Sequence, residues 1–129
     1  MLFGEYYPSF NGKNRTSLAK KLREEIAGDE IILSRGVGSK CIFGFSKKEW
    51  EEAAKQELTK PLSDPEGQRI RRAFFTGAAA VELDEQGRFV IPEFLIKYAD
   101  VKEKIVIAGV GDHFEIWNKD LYEKSFNNE

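Results

Sequence analysis

The feature that most constrains this chain is that it repeats itself. Residues 10–24, FNGKNRTSLAKKLRE, align with residues 83–97, LDEQGRFVIPEFLIK, at a spacing of 73. The shift sets Phe10 on Leu83, Asn11 on Asp84, Arg15 on Arg88, Leu18 on Ile91 and Leu22 on Leu95. With slips of one residue, EIILSRG (30–36) falls on KIVIAGV (104–110), and CIFGFSKKEWEE (41–52) on HFEIWNKDLYEK (113–124). Each half therefore reads short strand, charged turn, short strand, short helix, apolar strand, second strand, capped helix. A unit of ~45 residues with a few short strands buries too little surface alone, so two copies must share one core. The expected fold is α+β, with interleaved halves packed as a pseudo-two-fold β-core and short flanking helices.

Local signals place the elements. EIILS and KIVIAG are short, apolar and β-branched, the pattern of buried strands. Ser46 followed by Glu49 predicts a capping box, and Trp50, Ala53, Ala54 and Leu58 fall on one face of the helix behind it. Asn118 is placed to open the equivalent helix in the second half. Asp64-Pro65 predicts a capped helix start, with Ile70, Ala73 and Phe74 as its apolar face and Gly77 as its stop. That middle helix has no counterpart in the repeat and reads as a connector. The expected organisation is a first repeat over 5–49, connecting helices over 50–77 and a second repeat over 78–121.

Composition excludes several classes. The chain has 129 residues, 41% hydrophobic and 33% charged, the balance of one globular domain. No apolar run approaches the ~20 residues of a membrane span, and the opening MLFGEYYPSF lacks a signal peptide's basic start and apolar stretch. One cysteine, Cys41, rules out an intrachain disulfide and any zinc site built on paired cysteines. The expected location is cytoplasmic, with no membrane partner and no cofactor.

The net charge of −2 argues against a nucleic-acid binder, but its distribution does not. Residues 1–48 carry nine Lys/Arg against five Asp/Glu, and residues 69–97 five against four. The acid is concentrated between and after these stretches, six against two over 49–68 and seven against four over 98–129. Both repeated turns thus lie in the less acidic parts, which permits an electropositive face.

Within LDEQGRF, Asp84 can accept bonds from backbone N–H groups two or three residues on, and Gly87 suits a left-handed position. Arg88 is expected to project freely beside the tip, where a guanidinium can grip phosphate or guanine in bidentate fashion. FNGKNRT keeps that chemistry in other letters. Asn11 retains the acceptor, Asn14 is the non-glycine residue best suited to the left-handed region, Arg15 is unchanged, and Lys13 replaces Gln86. By charge, the first turn is the better anion site. An acid four residues before an arginine also serves simply to brace a hairpin, and spacing alone does not separate the two readings.

Four stretches together resemble the MraZ family of bacterial transcriptional regulators, built from two tandem SpoVT-AbrB-like repeats. They are LDEQGRFVIP (83–92), GDHFEIWNKDLYE (111–123), the opening MLFGEY and QRIRRAFFTGAAAVELD (68–84). The resemblance implies a swapped-hairpin type of fold and DNA-binding loops built on Asp-x-x-x-Arg. Asp84 and Arg88 match that motif directly and Arg15 as the first-loop arginine, whereas Asn11, Asn14 and Ala19 depart from the family's Asp, Gly and Pro. It further implies repression of the protein's own cell-division and cell-wall operon from double-stranded direct repeats upstream, a nucleoid-associated role, and a ring-like homo-oligomer. The chain ends earlier than many relatives, so its last helix is expected to be clipped. The expected DNA-binding set is Asn11, Lys13, Asn14, Arg15, Asp84, Gln86, Gly87 and Arg88, with Lys20, Lys21 and Arg23 either flanking phosphate contacts or a solvated helix face. The alternative is an AbrB-fold partner-binding or antitoxin-like oligomerisation module without DNA binding.

The remaining candidates are weaker. RIRR (69–72) is expected on a connector helix, with solvated or subunit-contacting arginines. His113 sits in a strand pattern with no second imidazole or cysteine to make a metal or general-base site, and Cys41 reads as packing. RGVGSKC lacks the glycine spacing of a nucleotide loop. An enzyme is not expected.

Overall fold

The repeated pattern folds as two matching runs. In the first, β1 (Leu2–Tyr6) and β2 (Arg15–Ser17) flank the first turn. Then come α1 (Lys20–Glu25), β3 (Glu30–Arg35), β4 (Ile42–Ser46) and α2 (Lys47–Glu57). After α3 (Pro65–Thr76), the second run gives β5 (Ala78–Glu82), β6 (Arg88–Val90), α4 (Glu93–Ala99), β7 (Ile105–Gly111), β8 (Phe114–Asn118) and α5 (Lys119–Asn127). The computed structural model describes residues 1–127.

Six strands form one sheet in the order β1-β7-β8-β4-β3-β5, and β2 pairs with β6 in a separate two-stranded ribbon. Every pairing is antiparallel. Exchanging the halves turns the sheet order into its own reverse, so the sheet is pseudo-two-fold. The register shows where the axis passes. Arg15 faces Val90 and Ser17 faces Arg88 about a central Thr16–Phe89 pair. Likewise Ile42 faces Ile116 and Gly44 faces Phe114 about Phe43–Glu115. The first strand of each half hydrogen-bonds the third strand of the other, β1 on β7 and β5 on β3, so neither half is complete alone.

The core lies between the sheet and the ribbon. Ile31, Leu33, Ile42, Ile105, Ile107, Phe114 and Ile116 form a buried cluster with Leu18, Leu22, Phe89, Ile91 and Leu95. Each such side chain contributes roughly 1.5–3 kcal/mol on burial. Phe114 fits because its partner is Gly44: a Cβ there would lie 2.1 Å from the Phe114 ring.

The helix starts follow their letters. The Ser46 hydroxyl accepts from the Glu49 N–H at 3.2 Å, and Asp64 accepts from the Glu66 N–H at 3.2 Å with Pro65 in the first turn. Asn118 Oδ1 accepts from the N–H groups of Asp120 (2.9 Å) and Leu121 (3.3 Å). The predicted apolar faces are narrower than their spacing implied. Leu58 lies just past the end of α2 and is 52% exposed, and Ala73 is also exposed. The contact between α2 and α3 is aromatic instead, with Trp50 stacked on Phe74 at 5.9 Å and edge-on to Phe75. Gly77 does end α3, but at φ −88° rather than in the left-handed region.

Candidate nucleic-acid interface

The two turns have one geometry. Asn11 Oδ1 accepts from the N–H groups of Lys13 (3.0 Å) and Arg15 (3.3 Å), and Asp84 Oδ1 from those of Gln86 (2.9 Å) and Arg88 (2.8 Å). The acceptor thus reaches residues two and four on, where two or three on is expected. The chain then needs a left-handed residue to re-enter the strand. Asn14 takes φ 60° and Gly87 φ 80°, as their residue types predict. The departure at Ala19 is silent in the backbone: Ala19 (φ −57°, ψ 145°) and Pro92 (φ −57°, ψ 141°) start their helices alike.

The turns also lock each other. The Ile91 N–H donates to the Asn14 carbonyl and the Leu18 N–H to the Gly87 carbonyl, both at 2.8 Å. Each turn therefore sits at one end of the β2–β6 ribbon, held by the strand that belongs to the other. Alternation along the ribbon puts Thr16 and Phe89 inward, 3% and 2% exposed, and turns Arg15, Ser17, Arg88 and Val90 to the opposite face. The two arginines come from opposite ends of one small exposed surface. They also share, with Asp84 and Val90, an open recess of about 480 Å³.

The arginines differ in state. Arg88 does not project freely, as the spacing led one to expect. Its Nε donates to Asp84 Oδ2 at 2.7 Å, a half-exposed pair that folds the guanidinium back on its own turn. The N–H and guanidinium of Arg88 hold the Asp84 carboxyl below the usual carboxylate range. Arg15 has no ion pair among the described residues, because the neutral Asn11 amide supplies the same backbone acceptor without the charge. Lys13, Gln86 and Asn11 are exposed, Asn14 is half-buried, and Gly87 is buried beneath its turn.

Two residues brace the turns from outside, both across long sequence separations. Asn14 Nδ2 donates to Glu93 Oε2 at 2.7 Å. Arg23 lies against Gly87, donating from Nε to the Leu18 carbonyl (3.0 Å) and from Nη1 to the Glu85 carbonyl (3.4 Å). Arg23 is half-buried rather than a fully solvated face, and these bonds make it a clamp between the halves. Lys20 and Lys21 remain exposed. The Glu93 brace and the Arg23 clamp carry no local motif that marks them in the sequence.

The weaker candidates resolve simply. Cys41 is buried, which pushes its thiol pKa up, away from reactivity. His113 lies in the turn before β8 rather than within a strand, stacked on Phe45 at 5.1 Å with Nδ1 2.7 Å from Asp112 Oδ1. Arg69 pairs with Glu66, and Arg71 Nη1 donates to the Lys60 carbonyl, so RIRR is mostly occupied within the connector region.

Known proteins share this two-unit plan. A family model described as "MraZ protein, putative antitoxin-like" matches residues 1–73 and again 74–129. A "Transcriptional regulator MraZ" from Caldicellulosiruptor bescii is 39% identical over 129 residues, covering 100% of this chain and 89% of that protein. The protein of that name from Caldicellulosiruptor saccharolyticus is 36% identical over the same spans. One from Roseiflexus sp. is 36% identical over 117 residues, covering 91% of this chain and 80% of its own length. With both halves matched and the full length aligned, the chain belongs to the MraZ family.

Proposed function

We propose that the protein is a transcriptional regulator that binds double-stranded DNA through the exposed face of the β2–β6 ribbon. The observation that carries this reading is that Arg15 and Arg88 issue from one solvent-facing surface while Thr16 and Phe89 anchor its back. A two-stranded ribbon fits the major groove, and guanidinium groups suit both phosphate and the guanine edge. Relatives that bear the name of transcriptional regulators, not enzymes, support it. In this reading Lys13 and Arg15 hold phosphate, Arg88 leaves Asp84 to reach DNA, and Gln86 and Asn14 lie close enough to meet base edges. Asn11, Asp84 and Gly87 set the turn shape. The target is direct repeats upstream of the protein's own cell-division and cell-wall operon, which it represses within the nucleoid. Copies joined in a ring-like homo-oligomer would bring many ribbons to evenly spaced sites and gain by effective concentration.

The test is a mobility shift on the DNA upstream of the gene, with wild type, Arg15→Ala and Arg88→Ala. Loss of one arginine contact is worth about 1–3 kcal/mol, roughly five- to 150-fold in affinity. Binding should weaken with salt by a log-log slope of ~0.9 per phosphate neutralised. Absence of any shift by the wild type in low salt would sink the reading. The Asp84–Arg88 pair favours one rival, an antitoxin-like partner module whose second turn is closed on itself. Such an interface would show little salt dependence.

A further inference from the structure

The ribbon is two-fold in shape but not in charge. Beside the first turn runs the segment from α4 to β7. Ser9 bridges Lys104, and Phe10, Asn11 and Gly12 face Lys102, Glu103 and Lys104 across an open cleft of about 740 Å³. The pseudo-equivalent segment beside the second turn is Gly28, Asp29 and Glu30: the Leu83 N–H donates to the Asp29 carbonyl at 2.6 Å, and Glu30 stands opposite Glu82 in register. Two lysines thus replace a glycine and a glutamate between the copies, and one flank inverts the sign of the other.

The turns add to the contrast. The first end carries Lys13, Arg15 and Lys104, none with an ion pair among the described residues, against the carboxylate of Glu93, which accepts from Asn14; Lys102 meets Asp100 only at 3.9 Å, in the open. Glu103 and Asp120 also line the cleft, so it is balanced in itself and the excess positive charge comes from the turn. The second end carries Asp84, Glu85, Asp29, Glu30 and Glu82 against two cations, Arg88, which Asp84 holds, and Arg23, which keeps its charge while donating to the Leu18 and Glu85 carbonyls. An approaching phosphate backbone meets more positive and less negative charge at the first end of the ribbon than at the second.

We infer that Lys102 and Lys104 are phosphate contacts, and that together with Lys13 and Arg15 they make the first end the backbone-gripping end of the DNA interface. This rests on the DNA-binding reading above. A scaffold whose shape allows two opposed dockings is thereby given a single direction on the duplex. The degenerate first turn carries most of the electrostatic affinity, and the second turn, with its acidic flank, meets phosphate through Arg88 alone.

Fluorescence anisotropy with a labelled duplex from upstream of the gene, titrated from about 50 to 200 mM KCl, tests this. For Lys102→Gln with Lys104→Gln, two lost phosphate contacts should make the slope of log affinity against log salt shallower by about 1.8. The fourfold rise in salt then costs the variant about twelvefold less affinity than it costs the wild type. Both lysines are exposed, and an unchanged circular dichroism melt confirms the fold. Glu30→Lys, which places a lysine at the pseudo-equivalent position, should leave the slope unchanged. A double variant with the wild-type slope, or a Glu30→Lys variant steeper by about one, overturns the inference while DNA binding stands. A wild type that fails to bind at about 50 mM KCl removes the DNA reading itself.

Discussion

Because Asn14 and Gly87 hold equivalent left-handed positions, exchanging their residue types tests how far the two turns are really alike. Gly87→Asn copies the first turn's letter into the second and should fail. A Cβ at Gly87 would lie 2.5 Å from Cδ and Nε of Arg23 and 2.8 Å from the Leu18 carbonyl oxygen. The side chain can move, but the carbonyl cannot, because Leu18 is tied to Gly87 by its own N–H at 2.8 Å. Displacing Arg23 forfeits its bond to Leu18, worth about 1 kcal/mol, and a β-carbon at φ 80° adds roughly 1–2 kcal/mol for alanine and less for asparagine. Gly87→Ala should therefore lose about 2–3 kcal/mol and Gly87→Asn slightly less. For a chain of 129 residues each kcal/mol is worth ~3–5 °C, so the alanine variant should melt roughly 6–15 °C lower. Asn14→Gly, the reverse exchange, relieves the backbone and loses only an exposed amide bond to Glu93, so it should stay within about 1 kcal/mol. Thermal unfolding followed by circular dichroism, at one protein concentration to hold any association constant, measures all three. If Gly87→Ala melted with the wild type, or if Asn14→Gly cost as much, the clamp by Arg23 would not be what holds the second turn.

Two further outcomes follow from the same geometry. Asn118 is 7% exposed, caps α5 with two N–H groups and donates Nδ2 to the Asp100 carbonyl at 2.7 Å. Asn118→Ala should then cost about 2–3 kcal/mol in urea unfolding with an unchanged m-value, against about 1 for Ser46→Ala, which removes a single cap bond. For His113, burial pushes the imidazole pKa down. Asp112 in contact and Glu115 at 3.9 Å outweigh it, and the folded-state value is raised. A raised folded pKa adds stability that is complete below the unfolded value of roughly 6.5 and is lost as pH rises through the folded value. The melting advantage of wild type over His113→Gln should accordingly shrink as pH rises above roughly 6.5, and a constant or growing advantage contradicts the assignment.

What could be read from the sequence was what depends on neighbours in the chain. The strand runs, the caps at Ser46, Asp64 and Asn118, and the left-handed turn positions follow from the chemistry of a few adjacent residues, and all appear where their spacing puts them. The repeat itself exposed the interleaved two-fold core, since neither half can close its own sheet. What stayed hidden depends on where distant residues meet. Arg23 reads as one more charge on a helix until the fold carries it to Glu85, and Leu58 reads as apolar face until α2 stops one residue short of it. The charge asymmetry of the ribbon needs Lys104 placed beside Ser9, a juxtaposition that no local pattern encodes.

The two turns also show why letters are a poor guide to decay. Replacing an aspartate by Asn11 keeps both backbone bonds, at 3.0 and 3.3 Å against 2.9 and 2.8 Å for Asp84, so the loop holds its shape with a slightly looser grip. The same replacement removes the counter-ion. Asp84, 2.7 Å from Arg88, turns that arginine into half of a dipole whose field falls off quickly and whose carboxylate an incoming anion must displace. Arg15 keeps its full charge and needs no partner broken before it acts. A substitution that looks like the loss of a motif residue therefore leaves the geometry standing and the neighbouring arginine without a counter-ion. Of the two turns, the one that departs from the motif is better prepared to meet an anion.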